Sequence, residues 1–370
     1  MIVHLTTVHF RDDPRIRSKM VAALDRRHPG QVALYVQDGL GHATDPQGFP
    51  IIDTGPRLRR LKRMSLGGWR MMRAVVKARP KVAHFHDPEL LPWAVFLRLF
   101  GIKVVYDVHE DYPEAVAQNS QLPAIARRLL PPVVRVVEWV GARVINGIVT
   151  VTPTIAARFP QGKTVMVRNF PMVSEFHAPG DRPMRDRAPE VAYIGTITLI
   201  RNILGMIDAV ELARDSGAVL RLAGHFPVAS DEAAARAHPG WERVKFDGWV
   251  SRHDIADVLS SVRAGLVVLE PVDRYRVAYP VKLFEYMAAG VPVISSDFPL
   301  WREIVDRAGC GVLVDPRDPQ AIADAIRWMI DNPDEAQAMG ERGRRAVMET
   351  YSWESEVGTL FKLYEQLGIR

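Results

Sequence analysis

The chain has 370 residues, of which 48% are hydrophobic and 25% charged. This composition is typical of a globular protein with room for two domains, so it excludes a disordered chain, a collagen-like chain and a small disulfide scaffold. With a single cysteine, Cys310, the chain can form neither an internal disulfide nor a cysteine-built zinc site.

Neither a membrane span nor a signal peptide is predicted. The apolar run Leu90–Ile102 is interrupted by Arg98, and no run approaches the roughly 18 uncharged residues that a span needs. The first residues, MIVHLTTVHFRDDPR, contain an acidic pair where a signal peptide is apolar. These features predict a cytoplasmic protein.

The charge is unevenly distributed along the chain. Residues 1–170 contain 25 Lys and Arg against 13 Asp and Glu, whereas residues 171–370 contain 23 against 30. The cationic residues of the first half form three groups: Arg57–Arg63, Arg70–Lys81, and the series Arg127, Arg128, Arg135 and Arg143. The first group lacks the aromatic side chains that stack on bases, which argues against nucleic acid. An anionic membrane surface, a phosphate-bearing acceptor or a solvated basic face without a partner remain open.

In the first half, short β-branched apolar runs alternate with amphipathic runs of helical period, as in βα units around a parallel sheet. The predicted strands are Ile2–Val8, Val32–Gln37, Val82–His86, Lys103–Val108, Gly147–Val151 and Thr164–Val167. The predicted helices are Pro14–Arg27, Leu66–Ala78, Pro88–Phe100, Ala124–Val140 and Thr154–Phe159.

Residues 171–190 are rich in proline and charge and have no periodicity, which predicts a linker. The alternation then resumes, with predicted strands Val191–Ile197, Val219–Ala223, Val244–Phe246, Ala264–Leu269, Val291–Ser295 and Gly311–Val314. The end of the chain predicts the helices Pro319–Met329, Pro333–Glu349 and Ser352–Leu367. We therefore predict an α/β protein with two doubly wound domains. Ligands bind such sheets at the carboxyl ends of the strands, so we expect the site in a cleft between the domains.

The segment LEPVDRYRVAYPVKLFEYMAAGVPVISSD, residues 269–297, contains the strongest candidate site. A helix is predicted to begin near Pro280 and to end before Gly290. A helix N-terminus has unpaired N–H groups and a partial positive charge, and Lys282 adds a full charge, so a phosphate fits there. Glu285 can accept hydrogen bonds from the vicinal hydroxyls of a ribose. The alternative is that both are solvated helix side chains.

Several motifs resemble the retaining GT-B glycosyltransferases of family 4. PVKLFEYMAAGVPVI is similar to their nucleotide-sugar signature, and YIGTITLIRNI (193–203) to the phosphate-binding turn that opens their second domain. FDGWVSRHDIADVL (246–259) resembles their base-binding loop, and YSWESEVGTLFKLY (351–364) their terminal helix. HFHDPELLPWAV (84–95) and VVYDVHEDYPE (104–114) resemble a bacterial branch that builds surface polysaccharides.

The resemblance implies a GT-B fold, in which two Rossmann-like domains face a central cleft. An acceptor-binding domain is expected at 1–172 and a nucleotide-sugar-binding domain at 173–350. Residues 351–370 are expected to form a helix that packs back on the first domain.

The resemblance also implies roles for residues of the second domain. Arg201 and Lys282 are expected to stabilise the departing diphosphate and, together with His109 of the first domain, to form the catalytic set. The donor nucleotide is expected to contact Glu285, Gly195, Thr196, Trp249, Val250 and Leu283. For Trp249, packing is the alternative. The chain departs from the family at Val277, where many members carry a second Glu, and at Thr196, where an Arg is usual.

In the first domain the expected acceptor contacts are Asp13, Arg15, His86 and Asp87. The alternative for Asp13 and Asp87 is helix capping. The loop HFRDDPR has no glycine, so its backbone cannot approach a phosphate closely. His86, Asp87, His109, Glu110 and Asp111 could form a metal site, but the available cations and helix start favour a reaction without metal.

Together these features predict a cytoplasmic enzyme, with possible peripheral contact at the inner face of the membrane. It transfers a sugar from a nucleoside diphosphate sugar, UDP- or GDP-linked, to a lipid-linked or polysaccharide acceptor with retention of configuration. A GT-B nucleotide-sugar epimerase and a catalytically degenerate binding protein are the alternatives. A dinucleotide-dependent oxidoreductase is disfavoured because neither domain opens with GxGxxG.

Overall fold

A computed structural model describes residues 1–118, 122–177 and 182–369. It divides into two compact units. The first unit comprises Met1–Asn169 with Glu356–Arg370, and the second comprises Phe170–Ser355.

The first unit is built on a sheet with eight strands among the described residues, in the order β3-β4-β2-β1-β5-β6-β7-β8. Neighbouring strands are parallel except β3 and β4. The strands are β1 Ile2–Leu5, β2 Val32–Val36, β3 Ala43–Thr44, β4 Pro50–Asp53, β5 Val82–Phe85, β6 Lys103–Val108, β7 Gly147–Thr150 and β8 Thr164–Met166. Strands β1, β2, β5 and β7 are buried throughout, because helices cover both faces of such a sheet.

The helices of the first unit include two π-helical stretches, Pro14–Val21 and Arg63–Gly67, each leading into an α-helix. Short 3₁₀ turns at Pro88–Leu90 and Arg98–Phe100 flank α4, and another occurs at Gln161–Lys163. The α-helices are α1 Ala22–Arg27, α2 Arg60–Lys62, α3 Gly68–Ala78, α4 Leu91–Leu97, α5 Tyr112–Ala117, α6 Ala124–Val144 and α7 Pro153–Ala156. Strands β3 and β4 and helix α5 were not predicted, because they are short and lack a clear period.

The second unit has a sheet of six parallel strands among the described residues, in the order β11-β10-β9-β12-β13-β14. Numbered from its first strand, this order is 3-2-1-4-5-6, that of the Rossmann fold. The strands are β9 Glu190–Thr196, β10 Val219–His225, β11 Val244–Gly248, β12 Ala264–Val267, β13 Val293–Ser296 and β14 Gly311–Val314.

The helices that cover this sheet agree with the predicted alternation. They are α8 Ile203–Leu212, α9 Ala229–Arg236, α10 Arg252–Ser261, α11 Asp273–Arg276, α12 Val281–Ala288, α13 Pro299–Ala308, α14 Pro319–Asp331 and α15 Pro333–Glu349. Short 3₁₀ turns lie at Val173–Glu175, Met184–Asp186, Leu199–Arg201, Arg214–Ser216 and Pro239–Arg243. The last helix, α16 Trp353–Gln366, belongs to the first unit from Glu356 onward.

The predicted linker is largely part of the second unit. Phe170, Phe176 and Met184 are buried in its hydrophobic core, and the 3₁₀ turns at Val173–Glu175 and Met184–Asp186 order the backbone around them. Residues 178–181 lie outside the described residues. Within the described part of the predicted linker 171–190, Phe176 and Met184 therefore pack into the core, because a few apolar side chains suffice to hold an aperiodic segment.

Helix α12 is fixed on the sheet of the second unit by one buried tyrosine. The Tyr286 hydroxyl accepts a hydrogen bond from the Ile194 N–H of β9 at 3.0 Å. The ring lies against Gly265 of β12, where an added Cβ would come within 2.2 Å of a ring carbon. Gly265 thus lets Tyr286 position the start of α12 beside the end of β9.

This contact predicts that Gly265→Ala lowers the free energy of unfolding by about 1–3 kcal/mol, the usual cost of overpacking a core. Gly358→Ala in α16 is the matched control, because its Cβ would meet open space and alanine favours a helix. Urea unfolding of the two variants measures the difference. Equal stability of Gly265→Ala and the unchanged protein would contradict this account of the packing.

Candidate active site

In the second unit, β9 ends in a turn that starts at Gly195 and Thr196 and lies beside the end of the parallel strand β10. Gly195 and Gly224 are paired across the two strands and have φ of +123° and +145°. A Cβ on Gly224 would lie 1.8 Å from the Gly195 carbonyl oxygen, so only glycine fits. This turn leaves the backbone of Gly195 and Thr196 open for close approach.

Two cationic side chains flank this turn. The Arg201 Nη1 donates to the Thr196 carbonyl at 3.2 Å, and the Tyr193 hydroxyl donates to the same oxygen at 2.9 Å. The Lys282 Nζ lies 3.5 Å from the centre of the Tyr193 ring. The structure therefore brings together Gly195, Thr196, Arg201 and Lys282, as predicted from the sequence, although their roles remain predictions.

The ammonium group of Lys282 has no hydrogen-bond partner among the described residues, although its Nζ is buried. Burial holds the pKa of Lys282 well below its usual range, the nearby Arg201 lowers it further, and Glu285 opposes both. The half-buried side chain of Lys282 reaches the turn at Gly195. A Cβ added to Gly195 would lie 3.8 Å from the Lys282 Nζ. A buried cation without a counter-ion is costly, so this position suits an anionic ligand.

Helix α12 begins at Val281, directly before Lys282. Pro280 precedes the helix and provides no side-chain cap, and the Leu283 N–H bonds the Pro280 carbonyl at 3.0 Å. The Leu283 side chain is fully buried in the core, so a contact of this residue with a nucleotide would have to involve its backbone.

Glu285 is buried and paired with an arginine that sequence reasoning missed. The Arg252 Nη1 donates to Glu285 Oε1 at 2.7 Å, while its Nε and Nη2 donate to Glu175 Oε2 at 3.0 and 2.7 Å. Burial lowers the pKa of Arg252, but the two carboxylates outweigh it and raise the pKa overall. Arg252 follows Ser251, which caps α10, and this capping signal was the only local indication of its position.

The loop predicted to border the base carries an exposed tryptophan after β11. Trp249 is 75% exposed, so the packing alternative for this residue is wrong. Val250 is half-buried against the core. Val277, at the position of the missing second Glu, ends α11 and is exposed.

In the first unit, the ends of β1, β5 and β6 meet at Asp107. Arg15 donates to both carboxylate oxygens, from Nε at 2.9 Å and from Nη2 at 2.7 Å, and also to the Val167 carbonyl at 3.1 Å. His86 Nδ1 hydrogen-bonds Asp107 Oδ2 at 2.9 Å. Burial opposes ionisation of Asp107, but Arg15 and the histidines hold its pKa well below the usual range.

Three buried histidines extend this network to α16. His86 Nε2 is 3.0 Å from His4 Nδ1, and the Tyr364 hydroxyl is 2.9 Å from His84 Nδ1 and 3.4 Å from His4 Nε2. Burial lowers the pKa of His86 to about 3, and it lowers those of His4 and His84 well below their usual range. All three imidazoles are therefore neutral at pH 7.

His109 lies at the surface end of the same network. Its Nδ1 is 3.4 Å from Asp107 Oδ2, and its Nε2 is 3.4 Å from the Tyr112 hydroxyl. The side chain is 13% exposed, and its ring meets that of His9 edge-on at 5.0 Å. This position suits a group that contacts a ligand at the strand ends.

Sequence reasoning did not single out His9, which lies between two carboxylates. Its Nδ1 is 3.1 Å from Asp13 Oδ2, and its Nε2 is 3.5 Å from Asp87 Oδ1. Burial lowers the pKa of His9, but the two carboxylates outweigh it and raise the pKa. His9 in turn lowers the pKa of Asp13 to about 2, against the opposing effect of burial. The sequence signal for this pair was the i,i+4 spacing of His9 and Asp13.

Of the four predicted acceptor residues, the structure leaves only Asp13 substantially accessible within the described chain. Arg15 and His86 are buried and hydrogen-bonded to Asp107. Asp87 is also buried and accepts hydrogen bonds from the N–H groups of Thr7 and Val8 at 2.6 and 3.3 Å. Asp13 also caps the helix that begins at Pro14, by accepting from the Ile16 N–H at 2.9 Å.

The side chains of His84, His86 and Asp107 are close enough together to ligate a metal ion. Both nitrogens of His86 are already hydrogen-bonded, however, and the Arg15 guanidinium covers both oxygens of Asp107. A guanidinium in this position repels a second cation, so the residues fit a hydrogen-bonded network better than a metal site.

Within the described part of the chain, no helix combines the length and apolar character needed to cross a bilayer.

Solved structures with the same fold cover nearly the whole chain. Sucrose-phosphate synthase from Thermosynechococcus elongatus is 19% identical with a TM-score of 0.77, over 99% of this chain and 98% of that protein. Anabaena Alr3699/HepE, solved in complex with UDP and glucose, is 12% identical with a TM-score of 0.71, over 99% of both chains. The fold is that of the GT-B glycosyltransferases, with two Rossmann-like α/β domains.

Family models match both units. Residues 178–346 match the "Glycosyl transferases group 1" model, and residues 15–169 match the "Glycosyl transferase 4-like domain" model. The chain belongs to the group 1 glycosyltransferases.

The matching characterised relatives are distant. An MMP alpha-(1->4)-mannosyltransferase of Mycolicibacterium hassiacum is 32% identical over 83 residues, which are 22% of this chain and 20% of that protein. A glycogen synthase of Mycobacterium tuberculosis is 24% identical over 297 residues, 77% of this chain and 69% of that protein. The chain thus spans about a fifth of the mannosyltransferase and about two thirds of the glycogen synthase.

The buried neutral histidines predict a loss of stability in mild acid. Below about pH 6.5, His4, His84 and His86 bind protons in the unfolded chain but not in the folded state, so stability falls as the pH falls. For His86 this loss continues down to its folded pKa of about 3. Each such histidine contributes a slope of about 1.4 kcal/mol per pH unit.

Urea unfolding above and below about pH 6.5 measures this slope. His84→Gln should reduce it, whereas His225→Gln should leave it unchanged because His225 is exposed at the end of β10. An equal pH dependence of His84→Gln and the unchanged protein between about pH 7 and pH 5 would show that His84 is not held neutral.

Proposed function

We propose that this protein transfers a sugar from a nucleoside diphosphate sugar to a hydroxyl acceptor, with retention of configuration. The observation that carries the proposal is the unpaired Lys282 ammonium beside Arg201, at the Gly195–Thr196 turn and the start of α12. Membership of the group 1 glycosyltransferases supports it. HepE is solved in complex with UDP and with UDP-glucose, which supports a nucleoside diphosphate donor here.

The diphosphate is proposed to lie on the turn at Gly195 and Thr196. There the Lys282 ammonium, the Arg201 guanidinium and the first N–H groups of α12 converge on the developing negative charge of the leaving group. Such preorganised charge stabilises the transition state more than the ground state, because the charge grows as the bond breaks. No metal ion is required in this proposal.

The ribose is proposed to bind Glu285. Arg252 holds this carboxylate through Oε1 and is itself held by Glu175, so Glu285 is fixed before the nucleotide arrives. A pre-oriented carboxylate loses less conformational freedom on binding. Val250 and the exposed Trp249 are the proposed neighbours of the base.

In the proposed reaction the bond between the anomeric carbon and the diphosphate oxygen breaks, and the acceptor oxygen attacks from the same face. The acceptor proton passes to the departing diphosphate, so no nucleophile of the enzyme is needed. His109 is the proposed contact for the donor sugar, with Asp107 holding its ring.

The acceptor is proposed to bind the first unit near Asp13. A cavity of about 350 Å³ is lined by residues that precede Asp13 in the chain and by residues of neighbouring elements, including Phe10, Arg11, Asp12, Arg17 and Asp38. Its charged side chains pair with one another, as Arg11 does with Asp38 at 2.6 Å, and Phe10 offers an apolar surface. Mixed polar and aromatic linings of this kind suit a sugar.

A lipid-linked acceptor would place the basic first unit at an anionic membrane. In the segment Arg57–Arg63, Arg57 is engaged with the Val8 carbonyl and Arg63 with Glu89. Arg59, Arg60 and Lys62 are exposed and form no ion pair with described residues, so these three are the proposed contacts with lipid head groups.

The epimerase alternative differs in needing no acceptor. Release of nucleoside diphosphate that requires an added acceptor favours the transferase, whereas release without one favours the epimerase. A degenerate protein would bind the nucleotide and release nothing. The matches to transferase family models do not favour either alternative.

Glu285→Ala is expected to weaken UDP or GDP binding by about 1.5–3 kcal/mol, because the ribose hydroxyls lose a charged acceptor. The matched control is Glu303→Ala, which removes an exposed carboxylate of α13. Isothermal titration with each nucleotide measures the affinities. If Glu285→Ala binds as tightly as the control, Glu285 does not hold the ribose.

Binding of nucleoside diphosphate is expected to take up a proton, increasingly as the pH rises through the depressed pKa of Lys282. The diphosphate supplies the missing counter-charge and raises that pKa again. Titration in buffers of different ionisation enthalpy measures the uptake. Lys282→Met should abolish the proton uptake and lower turnover at least about a hundredfold. Arg201→Ala should lower turnover to a similar extent.

The control for this experiment is Lys245→Met. It removes an exposed lysine of β11 that pairs with Glu190 of β9. Proton uptake that persists in Lys282→Met would place the titrating group elsewhere. Activity is expected to survive EDTA, and its loss with recovery on added magnesium would refute the metal-free reaction.

A further inference from the structure

Helix α6 exposes an apolar face that the rest of the first unit does not cover. Its buried side is narrow: Pro131, Glu138, Gly141 and Ala142 are the buried residues within the helix. In the described segment 122–177, nine large apolar side chains of α6 are exposed: Ile125, Leu129, Leu130, Val133, Val136, Val137, Trp139, Val140 and Val144.

The helix is firmly attached along its buried side. Glu138 contacts Arg158, and its Oε1 accepts from the Tyr106 hydroxyl at 3.5 Å. Gly141 lies against Leu91 of α4, where an added Cβ would come within 2.6 Å of a Leu91 methyl. The exposed apolar face is therefore the outer side of an ordered helix.

Neighbouring elements extend the apolar surface. Helix α4 packs against both α3 and α6, and Arg98, just after α4, donates to the Val144 carbonyl at 3.3 Å. Phe96, Leu99 and Phe100, in or next to α4, are 51%, 79% and 58% exposed. A folded monomer rarely leaves so many large apolar side chains in water on adjacent elements, unless the surface binds something.

The exposed charges of α6 all have one sign, although α5, which packs against α6, carries the half-buried Glu114. Arg128, Arg135 and Arg143 are exposed along α6, whereas its one acid, Glu138, is buried. Helices α3 and α4 contain no Asp or Glu. A second copy of the chain would bring arginines against arginines across a two-fold contact, whereas an anionic bilayer complements both the apolar and the cationic side chains.

We infer that α6 lies in the interface of an anionic lipid bilayer, with its valine-rich outer face among the acyl chains and its arginines at the head groups. This deepens the membrane part of the proposed function and rests on it. One side of α6 packs on α4 and α5, so the helix lies along the bilayer surface. Its nine exposed apolar side chains insert more apolar surface than the segment Arg57–Arg63, where Leu61 is the exposed large apolar residue.

The test uses the full-length protein and vesicles of equal parts phosphatidylglycerol and phosphatidylcholine. A polarity-sensitive dye is attached at Val136→Cys and, as a control, at Met348→Cys in the second unit, where the native side chain is equally exposed. The native Cys310 is buried, so it does not compete for the dye. The dye at position 136 should shift to an apolar signal with these vesicles but not with pure phosphatidylcholine, and the dye at 348 should not shift.

Substitution separates insertion from charge. The variant Val133→Gln/Val136→Gln/Val140→Gln should weaken vesicle binding at least about tenfold, because glutamine keeps the helix but not the apolar face. The matched control is Leu212→Gln/Val228→Gln/Met348→Gln, which changes three exposed apolar residues of the second unit. Arg59→Ser/Arg60→Ser/Lys62→Ser should weaken binding but leave the dye shift of the bound fraction intact.

Three results would overturn the inference: no dye shift at position 136, equal binding to neutral vesicles, or undiminished binding of the α6 variant. Dimerisation without lipid that the α6 variant abolishes would also overturn it, by making a second copy the occupant. Nucleotide binding is measured separately without vesicles. Its absence would refute the proposed donor site and leave the result for α6 standing.

Discussion

The first unit is organised around the buried ion pair of Asp107 and Arg15. The carboxylate ends β6, and the guanidinium comes from the π-helical turn after β1 and also reaches the Val167 carbonyl beyond β8. Removing either partner would leave an uncompensated buried charge, at a cost of about 3–5 kcal/mol. The positions of His86 and His109 depend on this pair, since both face Asp107 Oδ2.

The same network explains why polar residues could replace apolar ones at the centre of a sheet. His4, His84 and His86 lie on the neighbouring strands β1 and β5 or directly after β5, and their rings stack at 4.7–5.2 Å. Tyr364 adds a hydroxyl from α16, a helix distant in sequence. The histidines stay neutral, so the hydrogen bonds are gained without burying further charge. One ionised carboxylate, neutralised by Arg15, therefore suffices for the whole cluster.

Alternating apolar runs were enough to predict most strands and helices and the two-sheet architecture, because period and glycine or proline boundaries are local signals. The helix Pro333–Glu349 was predicted with its observed bounds. Contacts between distant residues were not predictable in this way. Arg252 meets Glu175 across 77 positions, and Arg15 meets Asp107 across 92. The sequence indicated helix α6 but not its exposed side, because its buried stripe consists partly of proline, glycine and glutamate.

Arg15 and Lys282 differ in the groups that surround their basic nitrogens. Both are basic side chains removed from water. Arg15 has a carboxylate on two of its nitrogens, whereas the Lys282 Nζ lies over the face of Tyr193 and has no hydrogen-bond partner among the described residues. A ring face compensates a buried ammonium far less than a carboxylate does. An anion that arrives at Lys282 therefore gains the interaction that the protein itself leaves unmade.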